Sequence, residues 1–264
     1  MRRSARRSGW RPFPPSPNVH PAAFGYAANR RPAIFPVRLV SFAGYGGGLV
    51  IGSGRTSVQY RDLDFEYATD LVKRQETLQI DAQEVIHELE IVTRLGDVGQ
   101  VFQIGSLVSG LMVWRDIDFS IVCRDATTTE IFEAMAPIAG DRRVLSLHYE
   151  NETGDRSPSG RLEDDRLYFV MRYQPPDGSI WKIDFSFWFS ETGRTEIMHP
   201  HQLRDQLTEE TRLAILWLKD IWQRSPTYPE KVSGPDIYEA VLKYGVRSPQ
   251  HLRAHLQQRG LPVD

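Results

Sequence analysis

The chain has 264 residues, which is enough for one large domain or two smaller ones. Its 41% hydrophobic and 25% charged residues are typical of a soluble globular protein, and no apolar run of about 20 residues indicates a transmembrane helix. The single cysteine, Cys123, excludes a disulfide framework within the chain and predicts a reducing, cytoplasmic environment.

The net charge of −2 hides an uneven distribution along the chain. Residues 1–60 contain nine Arg and no Lys, Asp or Glu, whereas residues 61–264 contain 23 Lys and Arg against 34 Asp and Glu, a net charge of −11. An acidic folded part argues against a broad DNA- or RNA-binding surface, because such a surface must attract phosphate groups.

The first 60 residues predict a basic arm rather than a packed domain. Seven of the 17 prolines lie in residues 1–36, and residues 37–54 are apolar and rich in glycine. By composition we expect this arm to be disordered. The glycine-rich part lacks the Gly-Lys-Ser/Thr of a P-loop and is not followed by the cleavage site of an export signal. We expect much of the arm to be dispensable, as a segment translated from an upstream start.

The periodicity becomes helical after residue 60. Apolar residues at helical spacing predict a first helix that ends near Leu78. Asp81, followed three residues later by Glu84, is typical of a capping box, so a second helix is predicted to begin there and to end before Gly96.

The middle of the chain alternates between strands and short helices. Strands are predicted at residues 100–104, 116–123, 143–149, 167–173 and 179–189, and helices at 106–112 and 128–138. Residues 174–178, Gln-Pro-Pro-Asp-Gly, are typical of a hairpin turn between the last two strands.

The last part of the chain is predicted to be helical, with helices at residues 207–222, 236–243 and 249–257. The His199-Pro200-His201 segment before them is interpreted as a loop. The predicted fold class is therefore α+β, a mixed β-sheet flanked by helices and followed by a C-terminal helical region. We expect residues 61–190 to form the sheet domain with its N-terminal helices, and residues 191–264 to form the helical region.

Two carboxylates in the second predicted strand mark the candidate site. Asp116 and Asp118 are two apart, so they point to one face of a strand, while Ile117 and Phe119 point to the other. Two like charges on one face repel each other, and a divalent metal ion would remove that cost. Mg²⁺ prefers hard oxygen ligands and commonly takes one or two carboxylates together with substrate phosphates.

Two further elements complete the pattern. Gly105 and Ser106 follow the preceding strand and offer backbone N–H groups and a hydroxyl to a phosphate at a tight turn. Asp184 lies between apolar residues in a later strand and supplies a third carboxylate. Three strand-borne carboxylates can hold two metal ions and can take a proton from an attacking hydroxyl.

This pattern resembles the nucleotidyltransferase superfamily of the polymerase-beta type. That family shows a Gly-Gly or Gly-Ser pair, a spacer of about a dozen residues, an Asp-apolar-Asp motif and a third acidic residue on a later strand. Gly105, Ser106, Asp116, Asp118 and Asp184 match it in order, within roughly residues 98–189. The three C-terminal helices resemble the helical half of antibiotic-type and related small-molecule nucleotidyltransferases.

The resemblance implies an Mg²⁺-dependent enzyme that transfers NMP from an NTP to a hydroxyl of an acceptor. It implies that Asp116, Asp118 and Asp184 are the metal-binding and catalytic residues, with a two-metal site, and that Asp184 is the general base. Gly105 and Ser106 would bind the triphosphate. Lys219, in a predicted C-terminal helix, corresponds to a lysine that related enzymes present to the triphosphate, although a solvated helix lysine is an equally good interpretation.

The acceptor stays open at this point. The acidic folded part favours a cationic small molecule over a polynucleotide. The alternatives are addition of nucleotides to RNA or tRNA, with the basic arm holding the RNA, nucleotidylation of a protein, and a non-catalytic nucleotide-binding module. For Asp184, the alternative interpretation is a sheet residue paired with Lys182 or with an arginine.

Overall fold

The computed structural model describes residues 49–51, 58–60 and 63–263. Within the predicted arm, Leu49–Ile51 (β1) and Val58–Tyr60 (β2) form a short antiparallel pair of strands. The remaining predictions for residues 1–60 lie outside the described residues.

A five-stranded mixed sheet is the centre of the fold. Its strands are Gln100–Ile104 (β3), Asp116–Val122 (β4), Val144–Glu152 (β5), Arg166–Tyr173 (β6) and Trp181–Trp188 (β7). Their order is β3-β4-β7-β6-β5, with β4 and β7 parallel and every other neighbouring pair antiparallel. The predicted mixed sheet is confirmed, and each of its five strands lies within two or three residues of the predicted position.

Helices precede, interrupt and follow this sheet. Those of the described residues are Phe65–Glu88 (α1), Ile91–Leu95 (α2), Gly105–Ser109 (α3), Thr128–Ala139 (α4), Thr195–Gln206 (α5), Glu209–Trp222 (α6), Gly234–Tyr244 (α7) and Pro249–Gln258 (α8). The predicted α+β class, with a C-terminal helical region, is confirmed. Among these helices none combines the length and the apolar character needed to cross a membrane.

The predicted break between two N-terminal helices is wrong. Helix α1 runs without interruption from Phe65 to Glu88 and is capped by the side chain of Asp64, which accepts a hydrogen bond from the Tyr67 backbone N–H. Asp81 lies in its interior. The buried residues continue across this point at helical spacing, from Leu78 through Ala82 to Val85 and Ile86, so packing overrides the local signal of a cap-type residue.

The interpretation of His199-Pro200-His201 as a loop is also wrong, because these residues lie in α5. This helix contains a proline in its interior and buries only Pro200 and Leu203, so its sequence carries almost no apolar stripe. Proline inside a helix and a weak stripe both favour a loop interpretation. The described residues after residue 190 form four helices where three were predicted.

Two clusters of buried residues hold these elements together, and α1 contributes to both. The N-terminal half of α1 packs with α6, α7 and α8, whereas its C-terminal half packs with α2, α4 and the sheet. The helical region is therefore built from residues at both ends of the described chain.

A buried carboxylate joins α1 to α6. Asp220 is fully buried and accepts hydrogen bonds from the Tyr67 hydroxyl (2.5 Å), the Arg74 guanidinium and the Gln223 amide (2.8 Å). Burial and the neighbouring Asp220 raise the pKa of Tyr67 to about 12. Arg224 lies 3.5 Å from the same carboxylate but is mostly exposed.

We expect Asp220→Ala to lower the free energy of unfolding by about 2–4 kcal/mol, because it leaves buried donors without an acceptor. Arg224→Ala removes only the exposed partner and should change the free energy of unfolding by no more than about 0.5 kcal/mol. Urea denaturation of the two variants measures both values. Equal effects would show that Asp220 does not stabilise the contact between α1 and α6.

Candidate active site

The parallel pairing of β4 with β7 brings the predicted carboxylates together. In this register Asp118 is directly opposite Asp184, and Asp116 is opposite Lys182. On the other face of the sheet the pairs Ile117–Ile183 and Phe119–Phe185 are buried in the core. The two phenyl rings stack with their centroids 5.6 Å apart. A slip by one residue would bury the charges, so the apolar face fixes the register of the polar one.

The turn between β3 and α3 lies against this pair. Ile104 is paired with Asp118, so the next residue, Gly105, begins α3 beside the Asp118 carboxylate. Gly105 has a φ of +70°, and a Cβ added to it would overlap Asp118 Oδ2. Only glycine suits both the left-handed conformation and this close approach. Ser106 follows in the first turn of α3.

Side chains from other helices hold α3 in place. The Gln79 side chain, from α1, donates to the Leu107 carbonyl (2.7 Å), and the Arg212 side chain, from α6, donates to the Gly110 carbonyl (3.3 Å). The α3 turn is therefore supported by both the N-terminal and the C-terminal helices.

Lys182 joins two of the three carboxylates. Its Nζ donates to Asp116 Oδ1 (3.1 Å) and to Asp184 Oδ2 (2.7 Å). The pairing of Asp184 with Lys182 that the sequence left open is therefore present in the structure. A second donor, the Tyr168 hydroxyl on β6, is 2.5 Å from the same Oδ2 atom. Asp184 Oδ1 is buried and has no hydrogen-bond partner among the described residues.

The close packing of these charges changes their protonation. Burial and the neighbouring carboxylates of Asp116 and Asp184 raise the pKa of Asp118 well above its usual value. Burial also raises the pKa of Asp184, against the opposing effect of Lys182. For Lys182, burial alone would lower the pKa, but the carboxylates of Asp116 and Asp184 raise it above the usual value of lysine. The site therefore favours a bound cation.

The donor set suits a hard divalent cation in its chemistry. Three carboxylates on two adjacent strands supply oxygen ligands of the kind that Mg²⁺ prefers, and the unpartnered Asp184 Oδ1 is an acceptor still to be satisfied. In the present arrangement no group of three or more His, Cys, Asp or Glu side chains within the described residues is placed to hold a metal ion. The Lys182 ammonium bridges Asp116 and Asp184 in place of such an ion.

Lys219 is buried, so its interpretation as a solvated helix lysine is wrong. Its Nζ donates to the Leu111 carbonyl (2.7 Å) and to the Tyr238 hydroxyl (3.0 Å), both of which are neutral. Burial lowers the pKa of Lys219, and the carboxylates of Asp116 and Asp118 oppose that effect. The ammonium group therefore lies within electrostatic range of the Asp pair.

Sequence reasoning missed Tyr168 and the bridging position of Lys182. Lys182 and Asp184 are two apart on one strand, which places them on one face, and the alternative interpretation of Asp184 named this pairing but not the contact of Lys182 with Asp116. The contact with Tyr168 depends on the register between β6 and β7, which the sequence does not state. Trp188, at the end of β7, is largely buried and contacts the Arg194 and Arg166 guanidinium groups.

No protein-family model and no curated protein matches this sequence. Several solved structures are similar in shape. Cid1, described as having RNA terminal uridylyl transferase activity, has a TM-score of 0.48 and 14% identity over 69% of this chain and 53% of its own. The CdnE c-di-GMP synthase from Capnocytophaga granulosa has a TM-score of 0.46 and 10% identity over 75% of this chain and 74% of its own. Terminal uridylyl transferase 4 from Trypanosoma brucei has a TM-score of 0.39 and 14% identity over 68% of this chain and 55% of its own.

The chain thus spans about half the length of the uridylyl transferases that it matches, 53% of Cid1 and 55% of the trypanosome enzyme. Likeness at this level assigns no activity to it. The features that bear on function are the geometry of the carboxylates and of the turn beside them.

A pair of glycine variants tests the close approach at Gly105. Gly178 has a φ of +82° with nothing within 4 Å of an added Cβ, so Gly178→Ala carries only the backbone cost, about 1 kcal/mol of unfolding free energy. Gly105→Ala should cost at least about 1 kcal/mol more, because the added methyl displaces the Asp118 carboxylate. Denaturant unfolding measures the difference. Equal losses would contradict the proposed contact.

Proposed function

We propose that this chain is a nucleotidyltransferase that transfers NMP from an NTP to a hydroxyl of an acceptor and releases pyrophosphate. The observation that carries the proposal is the position of Asp118 opposite Asp184, with Asp116 on the same face and the Gly105 turn against Asp118. A structural sheet gains nothing from three carboxylates on one face, whereas phosphoryl chemistry uses them to bind metal and to accept a proton.

Each residue has a role in this proposal. Asp116, Asp118 and Asp184 would hold Mg²⁺, which when bound neutralises charge on the triphosphate and on the departing pyrophosphate. The Gly105–Ser106 turn supplies backbone N–H groups and a hydroxyl to the phosphates. The Tyr168 hydroxyl, which donates to Oδ2, holds Asp184 in place, and Oδ1 has no hydrogen-bond partner among the described residues.

The reaction needs one proton acceptor. The acceptor hydroxyl attacks the α-phosphorus, the bond from that phosphorus to the bridging oxygen of the β-phosphate breaks, and pyrophosphate leaves. Asp184 takes the hydroxyl proton. Burial raises the pKa of Asp184, which favours its protonated form.

Lys219 is proposed as a triphosphate ligand. Its ammonium is buried near Asp116 and Asp118, and its two hydrogen bonds go to neutral oxygens. A buried ammonium has three N–H donors and gains most from an anionic acceptor, which an adjacent triphosphate would supply.

For the acceptor we propose a small molecule, because residues 61–264 carry a net charge of −11 and would repel a polynucleotide over most of their surface. An RNA acceptor is the second candidate, since the nine positively charged arginines of residues 1–60 could bind RNA phosphates. Transfer from radiolabelled NTPs to aminoglycosides, lincosamides and short RNAs distinguishes them. Label on RNA alone, lost at higher salt and on removal of residues 1–60, would replace the first proposal with the second.

We expect Asp116→Asn and Asp184→Asn each to lower the rate of pyrophosphate release by about 10³-fold or more, because each removes a charged ligand from the reacting centre. Asp155→Asn is the matched control, because Asp155 is exposed and lies outside the sheet. Release is measured with each NTP and Mg²⁺ in the presence of the acceptor panel. Full release in both site variants would exclude this centre as the source of activity.

Lys219→Met should raise the KM for NTP by about tenfold or more with a smaller effect on kcat, because one charge-assisted hydrogen bond to the triphosphate is lost. Methionine has a similar length and suits a buried position. Lys243→Met, at an exposed lysine paired with Glu239 on α7, is the control. An unchanged KM in the Lys219 variant would assign this lysine to the packing of α6 alone.

A further inference from the structure

The bridging lysine of the active site stands where a cation is expected. Lys182 Nζ lies 3.1 Å from Asp116 Oδ1 and 2.7 Å from Asp184 Oδ2, so one ammonium group contacts a carboxylate on each of the two parallel strands. Asp118 shares this face and lies opposite Asp184. Two of the three carboxylates are thus in contact with a monovalent cation that belongs to the chain itself.

We propose that Lys182 is a built-in counter-ion that competes with the divalent metal for Asp116 and Asp184, and that metal binding requires the ammonium group to leave this position. The proposal rests on the proposed function, since it concerns the same metal site.

The contacts of Asp184 explain why the lysine and the metal exclude each other. Oδ2 already accepts from both the Lys182 ammonium and the Tyr168 hydroxyl, and only Oδ1 is free. A metal ion bound by Asp116 and Asp184 would share those carboxylates with the ammonium group, which lies 3.1 Å from Asp116 Oδ1 and 2.7 Å from Asp184 Oδ2, and two positive charges on the same carboxylates repel each other.

The lysine also has the means to move. About a third of its side chain is exposed (31%), whereas the Asp116 and Asp184 side chains are largely buried, at 16% and 13% exposure. A flexible four-carbon stem lets the ammonium group turn towards solvent while the carboxylates keep their places on the strands. In the metal-free protein the same ammonium limits the repulsion between the carboxylates and so stabilises the fold.

The proposal predicts opposite effects on metal affinity and on metal-free stability. Without nucleotide, Lys182→Met should bind Mn²⁺ about tenfold tighter or more than the unmodified chain, because a competing charge in direct contact is removed. In EDTA the same variant should unfold at a lower temperature, and added Mn²⁺ should raise its unfolding temperature more than that of the unmodified chain. Mn²⁺ electron paramagnetic resonance and thermal unfolding give the two readouts without any assay of activity.

Three variants make the result specific. Lys182→Arg keeps the charge, so its Mn²⁺ affinity should stay close to that of the unmodified chain. Arg172→Met removes the exposed charge directly across from Lys182 on β6 and should leave the affinity nearly unchanged. If Lys182→Met does not fold, Lys182→Gln is measured in its place, because it also removes the charge. If Lys182→Met and Lys182→Gln bound Mn²⁺ no tighter than the unmodified chain, the competition would be disproved.

The failure of the proposed function has a different signature. Asp116→Asn must weaken Mn²⁺ binding if the metal site exists. If Mn²⁺ binding requires Asp116 but is unchanged by the loss of Lys182, only the proposed counter-ion role of Lys182 is disproved. If no variant shows Mn²⁺ binding that depends on Asp116, with or without NTP, both the metal site and the counter-ion role of Lys182 are disproved.

Discussion

The register between β4 and β7 is the constraint on which the candidate site depends. Parallel pairing places Ile117 against Ile183 and Phe119 against Phe185 in the core, and alternation then places Asp118 against Asp184 on the opposite face. The apolar pairs gain free energy from burial, and that gain offsets the cost of bringing like charges together. The core thereby positions the chemistry, and the β3–α3 turn follows because Ile104 pairs with Asp118.

The same arrangement creates an electrostatic problem that the chain solves locally. Asp118 has a raised pKa because burial and two neighbouring carboxylates disfavour its charged form. Lys182 reduces the excess negative charge by contacting Asp116 and Asp184, and Tyr168 adds a hydrogen bond to the latter. A site held together by its own cation can remain folded before substrate arrives, at the cost of competition with any metal ion that enters.

The sequence predicted the elements of the sheet better than the contacts between them. The alternation of apolar and polar residues predicted the strands that carry Asp116, Asp118 and Asp184, because residues two apart share one face of a strand and are buried or exposed together. The break at Asp81 was predicted from a local cap signal, and the continuous stripe from Leu78 to Ile86 overrode it. Helix α5 was missed because its interior proline and weak stripe both indicate a loop. Tyr168 and the burial of Lys219 depend on strand register and helix packing, which no local pattern encodes.

A structure of the protein with Mn²⁺ and a non-hydrolysable NTP would show whether the three carboxylates bind the metal ion. We predict an anomalous scattering peak at about 2.2 Å from oxygens of Asp116, Asp118 and Asp184. The triphosphate should lie against the Gly105–Ser106 turn, and Lys182 should have turned away from Asp116. Nucleotide bound elsewhere, or Mn²⁺ held by other residues while Lys182 still bridges Asp116 and Asp184, would contradict the account.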